Sequence, residues 1–448
     1  MTEFYPALQK IFNPARACLY WFLFALISSA LINSFFIDKH FSCDGVYYFW
    51  EMLEKKDFVH HDWARQYSLY LTQWPVVLAI HTGIKDIQVL NRLFALGIFS
   101  VYLLSFLLCL YSLRGSDKSM LTWPLLSMVA FNLSTDYHLT GEFPVVMLMS
   151  WPILFLLFRN SQLWLDRIFL FILLMVFTRI YQSAMTISSV FIMLLLYQKY
   201  VIKRERPTSD FLILIFLCVI TISIAVYTTL NPIDESNKSF FIQGLRVMFT
   251  NTPAMVSVSF ISLFFFSLIF QKKWLYLISL LPVLFYLFFI VMTHRGTNNY
   301  VSFAARAMSA SLFPLLLVLS TVFYYKGLHV HRINVFNLVF FVIVITTGNI
   351  KFSEDWREYR EEFKTTLLQN TWFVPIEKTN LMNGTGYWSF TNPYLSLVWS
   401  EGCVRSIVLN DSGHRTFPID PYKGLLLKDY IKYNSCFFTI DSTAIPCK

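Results

Sequence analysis

A chain of 448 residues with 56% hydrophobic, 18% aromatic and 14% charged residues holds far fewer charges than the ~25% of a soluble protein. That composition excludes a soluble globular fold and predicts a polytopic membrane protein. The formal net charge of +9 does not point to nucleic acid, because the basic residues fall in short clusters between apolar runs and read as topology signals.

A helix crossing about 30 Å of hydrocarbon needs roughly 20 apolar residues, and about eleven runs of that kind or somewhat shorter are predicted. They lie near 19–37, 91–113, 120–135, 143–158, 168–178, 180–197, 211–230, 254–270, 275–293, 307–325 and 333–350. Asp38, Lys39 and His40 follow the first run in place of a small-residue cleavage site, so it is expected to stay as a membrane helix. With the N-terminus in the cytoplasm, alternate connections carry Lys10 and Arg16, Arg114 and Lys118, Arg159 and Arg167, then Lys199, Lys203, Arg204 and Arg206. Lys272 with Lys273, and Lys326 with Arg332, continue the series, as expected of short cytoplasmic loops. The alternation requires the fifth and sixth runs to form a hairpin tipped by Arg179. A single helix there would send the later basic clusters outside.

The outer side then receives residues 38–90, the turn 135–143, Arg179, the loops 231–253 and 294–306, and a tail from about 351. The first of these opens with FSCDGVYYFWEM at 41–52. YYFWEMLEKKDF reads as an amphipathic helix and SLYLTQWPVVLAIHTGI as a second apolar piece, both expected along the membrane interface, where Trp and Tyr are favoured. Together they would roof a cavity suited to a substrate with a lipid tail. The tail mixes helix-like WREYREEFKTTLLQ with strand-like VRSIVLN and SCFFTI between NGTG, NDSG and DPYKG, and predicts a small α+β domain over 351–448 beside a membrane module over 1–350. Of the seven cysteines, Cys43, Cys403, Cys436 and Cys447 fall outside, where disulfides form, and a Cys436–Cys447 bridge is one pairing among several.

Asp44 is the first candidate for chemistry: a carboxylate at the mouth of an apolar site suits a general base, and Gly45 beside it admits close approach. The same Asp44 also reads as the N-cap of YYFWEMLEKK. In LSTDYHLTGEFP, Asp136, His138 and Glu142 gather three protonatable groups, fit for acceptor contact, proton relay or a metal, or for a solvated turn. Arg179, Arg295 and Arg306 sit at outer helix ends, where the charge rule gives no reason for them. A guanidinium fork matches phosphate oxygens, and snorkelling to headgroups is the alternative.

These features resemble the GT-C superfamily of integral membrane glycosyltransferases: about eleven helices, an aspartate opening the first outer loop, interfacial helices after it, and an outer C-terminal domain. More narrowly the chain is similar to bacterial glucosyltransferases that modify O-antigen from an undecaprenyl-phosphate sugar, where RIYQSA at 179–184 is similar to a recurring Tyr-Gln-Ser/Ala element. The resemblance covers roughly residues 1–350. It implies a multi-pass protein of the bacterial inner membrane with a periplasmic C-terminal domain. It also implies an inverting transfer of a sugar, glucose in the narrower resemblance, to a lipid-linked or lipopolysaccharide glycan, with Asp44 as base. Arg179, Arg295 and Arg306 would hold the donor phosphate, with Asp136, His138, Glu142, Tyr181 and Gln182 toward the acceptor. Many members have a second acid where Gly45 stands, which leaves use of a divalent cation open. A polymerase of lipid-linked repeats shares the compartment and substrate. A transporter would instead place polar residues at mid-membrane depth, where these runs are apolar.

Overall fold

The computed structural model of the chain describes residues 14–42, 44–60, 63–114, 116–129, 141–159, 163–204, 206–231, 313–325 and 332–369, with short stretches of the tail between 372 and 440. It is mostly helical. Among the described residues three helices are long and apolar enough to cross a membrane: Cys18–Phe36, Ile87–Ser112 and Thr208–Leu230. Shorter apolar helices run over Glu142–Phe158, Ala184–Tyr200 and Phe313–Tyr325. In chain order we label α1 (Pro14–Phe36), α2 (Asp44–Lys55), α3 (Gln66–His81), α4 (Ile87–Ser112), α5 (Thr122–Ser127), α6 (Glu142–Phe158), α7 (Trp164–Phe177), α8 (Ala184–Tyr200), α9 (Thr208–Leu230), α10 (Phe313–Tyr325), α11 (Arg332–Gln369) and α12 (Asn392–Trp399). The runs at 254–270 and 275–293 lie outside the described residues.

Side-chain contacts set the helices against one another and define two ends. Arg92 donates to the Phe35 carbonyl at 2.8 Å and Phe24 stacks on Phe106, so α1 and α4 run antiparallel. At the far end of α4, Arg114 donates to Asp166 at 2.7 Å, and Arg159, just past α6, lies 3.3 Å from the same carboxylate. That shared partner makes α4 and α6 parallel and seats the start of α7 beside both. Arg167 pairs with Asp210 at 3.2 Å, and Arg204 donates to the Phe158 carbonyl at 2.8 Å. The basic clusters that the sequence assigns to alternate connections from Arg114 to Arg206 thus gather at one end. The fifth and sixth runs are separate helices, α7 and α8, joined by the turn 178–183 that carries Arg179.

Helix lengths shape the opposite end. At about 1.5 Å per residue, α4 with 26 residues is ~39 Å long, whereas α6, α7 and α8, with 17, 14 and 17 residues, reach only ~21–25 Å from the shared basic end. They stop short of the tips of α1 and α4. The recess so formed is filled by residues 37–81.

That filling differs from the interfacial arrangement read in the sequence. α3 folds back along α4 after a turn in which Gly83 adopts φ 89°, a left-handed conformation natural to glycine. The antiparallel pair is so close that a Cβ on Gly97 would stand 2.0 Å from the Thr72 carbonyl oxygen. A glycine facing a helix backbone therefore makes α3 a partner of α4 and not a strip lying across the helix ends. Gly97→Ala is expected to force the pair apart and lower stability by about 3 kcal/mol, read as an earlier melting transition in detergent. α2 leaves Asp44, Tyr47, Glu54 and Lys55 accessible on one face and buries Gly45, Val46, Tyr48, Phe49, Trp50, Glu51, Met52 and Leu53. Its covering comes from the tail, since Tyr394 of α12 packs against Tyr47 and Trp50 with ring centroids 5.8 and 5.3 Å away.

The boundary read at 350 falls inside α11, a single helix of 38 residues. Its later half buries Ser353, Trp356, Tyr359, Phe363 and Leu367, a helical stripe that carries it past Gly348 and Asn349. Beyond it, β1 (Trp372–Pro375) pairs in parallel with β3 (Ser406–Leu409), β2 (Cys403–Val404) with β6 (Thr439–Ile440), and β4 (Thr416–Asp420) pairs antiparallel with β5 (Lys423–Leu426). Cys18, Cys109 and Cys218 are free thiols. Cys43, Cys436 and Cys447 lie outside the described residues.

A knot of polar groups ties α1, α4 and α11 together. Asp38, in a left-handed conformation at φ 61°, accepts from Asn91 at 2.7 Å and from Arg360 at 3.0 Å, with Arg92 at 3.5 Å. Because Asn91 gives its amide N–H to Asp38, its oxygen faces His40 Nε2 at 2.6 Å, which must carry the proton. His40 Nδ1 is buried with no hydrogen-bond partner among the described residues. Burial, opposed in part by Asp38, lowers the His40 pKa to about 4 from 6.5. Between those values the unfolded chain binds a proton that the folded chain refuses. Stability is therefore complete above pH 6.5 and declines as the pH falls toward 4, by on the order of 3 kcal/mol. Melting temperatures of wild type and His40→Gln across that window should diverge, with the wild type falling more steeply.

Candidate functional site

The recess at the short-helix end gathers the polar residues of the first outer loop. Asp44 stands in the first turn of α2, one place inside the helix, not before it as an N-cap would be. A carboxylate there is favoured by the helix dipole. Four residues on, Tyr48 shares its face and is 2% exposed. The Tyr48 hydroxyl donates to Glu142 Oε1 at 2.7 Å. Burial, then the charges of Glu142 and Asp44, hold the Tyr48 pKa well above its ordinary value, against the opposing pull of Arg65. Tyr48 is thus a neutral donor between two carboxylates, and Asp44 and Glu142 share one electrostatic site although 98 positions separate them.

Glu142, read in the sequence as part of an outer turn, is the first residue of α6 and only 1% exposed. Arg65, which closes the 3-10 turn Trp63–Arg65, brings Nη1 to 3.6 Å from Glu142 Oε1. Its guanidinium also lies over the Tyr181 ring, 5.3 Å from the centroid. Arg179 donates to Gln66 Oε1 at 2.9 Å and covers the Trp63 ring at 5.0 Å. The Arg179 carbonyl accepts the Tyr67 N–H at 2.9 Å. RIYQSA is therefore the α7–α8 turn clasped to residues 63–67, with Gln182 half-buried in it.

Glu142, Arg179 and Tyr181 thus come together around this turn through residues 63–67, and Asp44 is linked to Glu142 through the charge both exert on Tyr48. Asp136, His138, Arg295 and Arg306 lie outside the described residues. Arg65 and Tyr48 were not singled out in the sequence. Tyr48 stands four places after Asp44 on a helical pattern, and Arg65 lies in the 38–90 segment that the charge pattern assigns to the same side as Arg179. Among the described residues no group of three His, Cys, Asp or Glu side chains forms a cation cage. The positive charge set against Glu142 is the Arg65 guanidinium.

The arrangement offers one half-buried carboxylate, Asp44, and one buried carboxylate fixed by a phenol and a guanidinium. A second guanidinium is held over an indole. Such a set can take a proton from a hydroxyl and hold an anion beside it. No family model, curated protein or solved structure matches the chain, so the reading of function rests on the site.

Proposed function

We propose that the chain is a membrane-embedded glycosyltransferase, built on about eleven membrane helices, which moves a sugar from a polyprenyl-phosphate donor to a glycan acceptor at the outer face of a bacterial inner membrane. The observation that carries this reading is the buried Glu142 held by Tyr48 and Arg65, with Arg179 clasped to the same 63–67 segment and Asp44 opening the helix that carries Tyr48. A phosphate on a lipid tail can enter the recess from the outer leaflet, while a glycan hydroxyl meets Asp44 from water.

In the proposed step Asp44 takes the proton of the acceptor hydroxyl as that oxygen bonds to the anomeric carbon from the face opposite the donor phosphate. The bond from that carbon to the phosphate oxygen breaks, and its electron pair leaves with the polyprenyl phosphate. Arg65 and Arg179, already oriented by Glu142, Tyr181, Gln66 and Trp63, stabilise the charge that develops there, and preorganised donors serve best in this role. The bond to phosphate supplies the activation, so the reaction calls for no nucleotide. Tyr48 holds Glu142 in place and keeps its own proton throughout.

The test is transfer by the purified chain in lipid nanodiscs from a labelled polyprenyl-phosphate sugar to a lipopolysaccharide-type oligosaccharide, with the anomeric configuration of the product read by NMR. Inverted product is expected. Folded protein that transfers nothing from such donors, or that uses only nucleotide sugars, would sink the proposal.

A further inference from the structure

The basic end of the bundle holds a shallow open cleft, with an enclosed volume of only about 20 Å³, lined by Leu195, Gln198, Lys199, Arg204, Arg206 and Phe211. Its cations are fixed from behind. Arg204 donates to the carbonyls of Phe158 at 2.8 Å and Leu157 at 3.3 Å, and Arg206 reaches the Leu157 carbonyl at 3.4 Å. Both therefore cap the C-terminus of α6, where the helix dipole welcomes positive charge. Lys199 Nζ lies 4.2 Å from the Phe211 ring centroid.

Among the described residues no carboxylate forms an ion pair with these three. Asp166 is engaged by Arg114 and Arg159, and Asp210 by Arg167; Glu205 lies outside the described residues. The carbonyls carry only partial negative charge, so the cleft keeps a net positive charge. Its flanks are apolar and outward-facing: Leu196 and Tyr200 on α8, and Leu212, Ile213 and Phe216 on α9, are all exposed.

We infer that this cleft binds the phosphodiester headgroup of an anionic phospholipid from the leaflet at this end of the bundle. The cations match the phosphate, as basic pockets between membrane helices do for acidic lipids, and the exposed side chains of α8 and α9 give the acyl chains a surface that a free phosphate ion would leave unused. The inference rests on the membrane reading of the helices and is independent of glycosyl transfer.

The full-length chain in a neutral detergent, titrated with dioleoylphosphatidylglycerol and followed by native mass spectrometry, should bind that lipid in preference to dioleoylphosphatidylcholine. Lys199→Gln with Arg206→Gln should weaken binding roughly 30-fold. If that pair fails to fold, Lys199→Gln alone, which removes a charge resting on ring faces, should weaken it about fivefold. Equal binding of the two lipids, or undiminished binding by the variants, overturns the inference. Displacement of the acidic lipid by an equal concentration of inorganic phosphate would identify the ion as the occupant and overturn it as well.

Discussion

Asp44→Asn is expected to reduce sugar transfer about a thousandfold while shifting the melting temperature by only about one or two degrees. The substitution keeps the shape of the side chain and leaves it an amide oxygen able to accept a hydrogen bond. It removes only the ability to take a proton and the favourable charge in the first turn of α2, worth about 0.5 kcal/mol. A structural role and a catalytic role for Asp44 therefore separate cleanly in one variant. Transfer at the wild-type rate would remove Asp44 from the chemistry. A large loss of stability would instead make it part of the scaffold that holds α2.

The helical skeleton was legible because apolar runs and basic clusters report two strong constraints, hydrocarbon thickness and charge asymmetry. Runs at 19–37, 91–113, 143–158 and 211–230 coincide with helices within a few residues, and Arg179 sits at the turn the charge pattern required. What failed was any inference that depended on which element covers another. YYFWEMLEKKDF has the pattern of a half-wet helix and its Lys55 and Lys56 are exposed, yet α12, more than 330 positions later, packs on its Tyr47 and Trp50. α3 looked like an interfacial strip because its apolar residues suit either place, and only the approach of Thr72 to Gly97 decides the matter. In the candidate site, Asp44 and Arg179 could be proposed from residue type and the charge pattern. Arg65 and Tyr48 could not be ranked, since their importance comes from Glu142, a distant residue that both engage.

The described arginines at this end of the bundle divide by partner. Arg92 and Arg360 are committed to Asp38 and to backbone carbonyls at the end of α1, which makes them part of the joint between α1, α4 and α11. Arg65 pairs with Glu142 and lies over the Tyr181 ring, and Arg179 donates to Gln66 and lies over the Trp63 ring. In the proposed reaction these two would meet the donor phosphate, and Arg65 is also the counter-charge of buried Glu142.

The second large effect is therefore expected at Arg65. Arg65→Met strips the cation from beside a carboxylate that is 1% exposed, a change that leaves buried charge uncompensated and lowers stability by about 3 kcal/mol. Transfer should fall at least about a hundredfold, since a preorganised donor to the developing phosphate charge is lost. Stability and activity can then be uncoupled with Glu142→Gln in the same chain. The neutral amide no longer needs the guanidinium and still accepts from the Tyr48 hydroxyl, so most of the lost stability should return, read as recovery of the melting temperature. Activity should not return, because no cation has been restored to the recess. If transfer recovers along with stability, Arg65 serves only to neutralise Glu142, and the phosphate must be held by other residues.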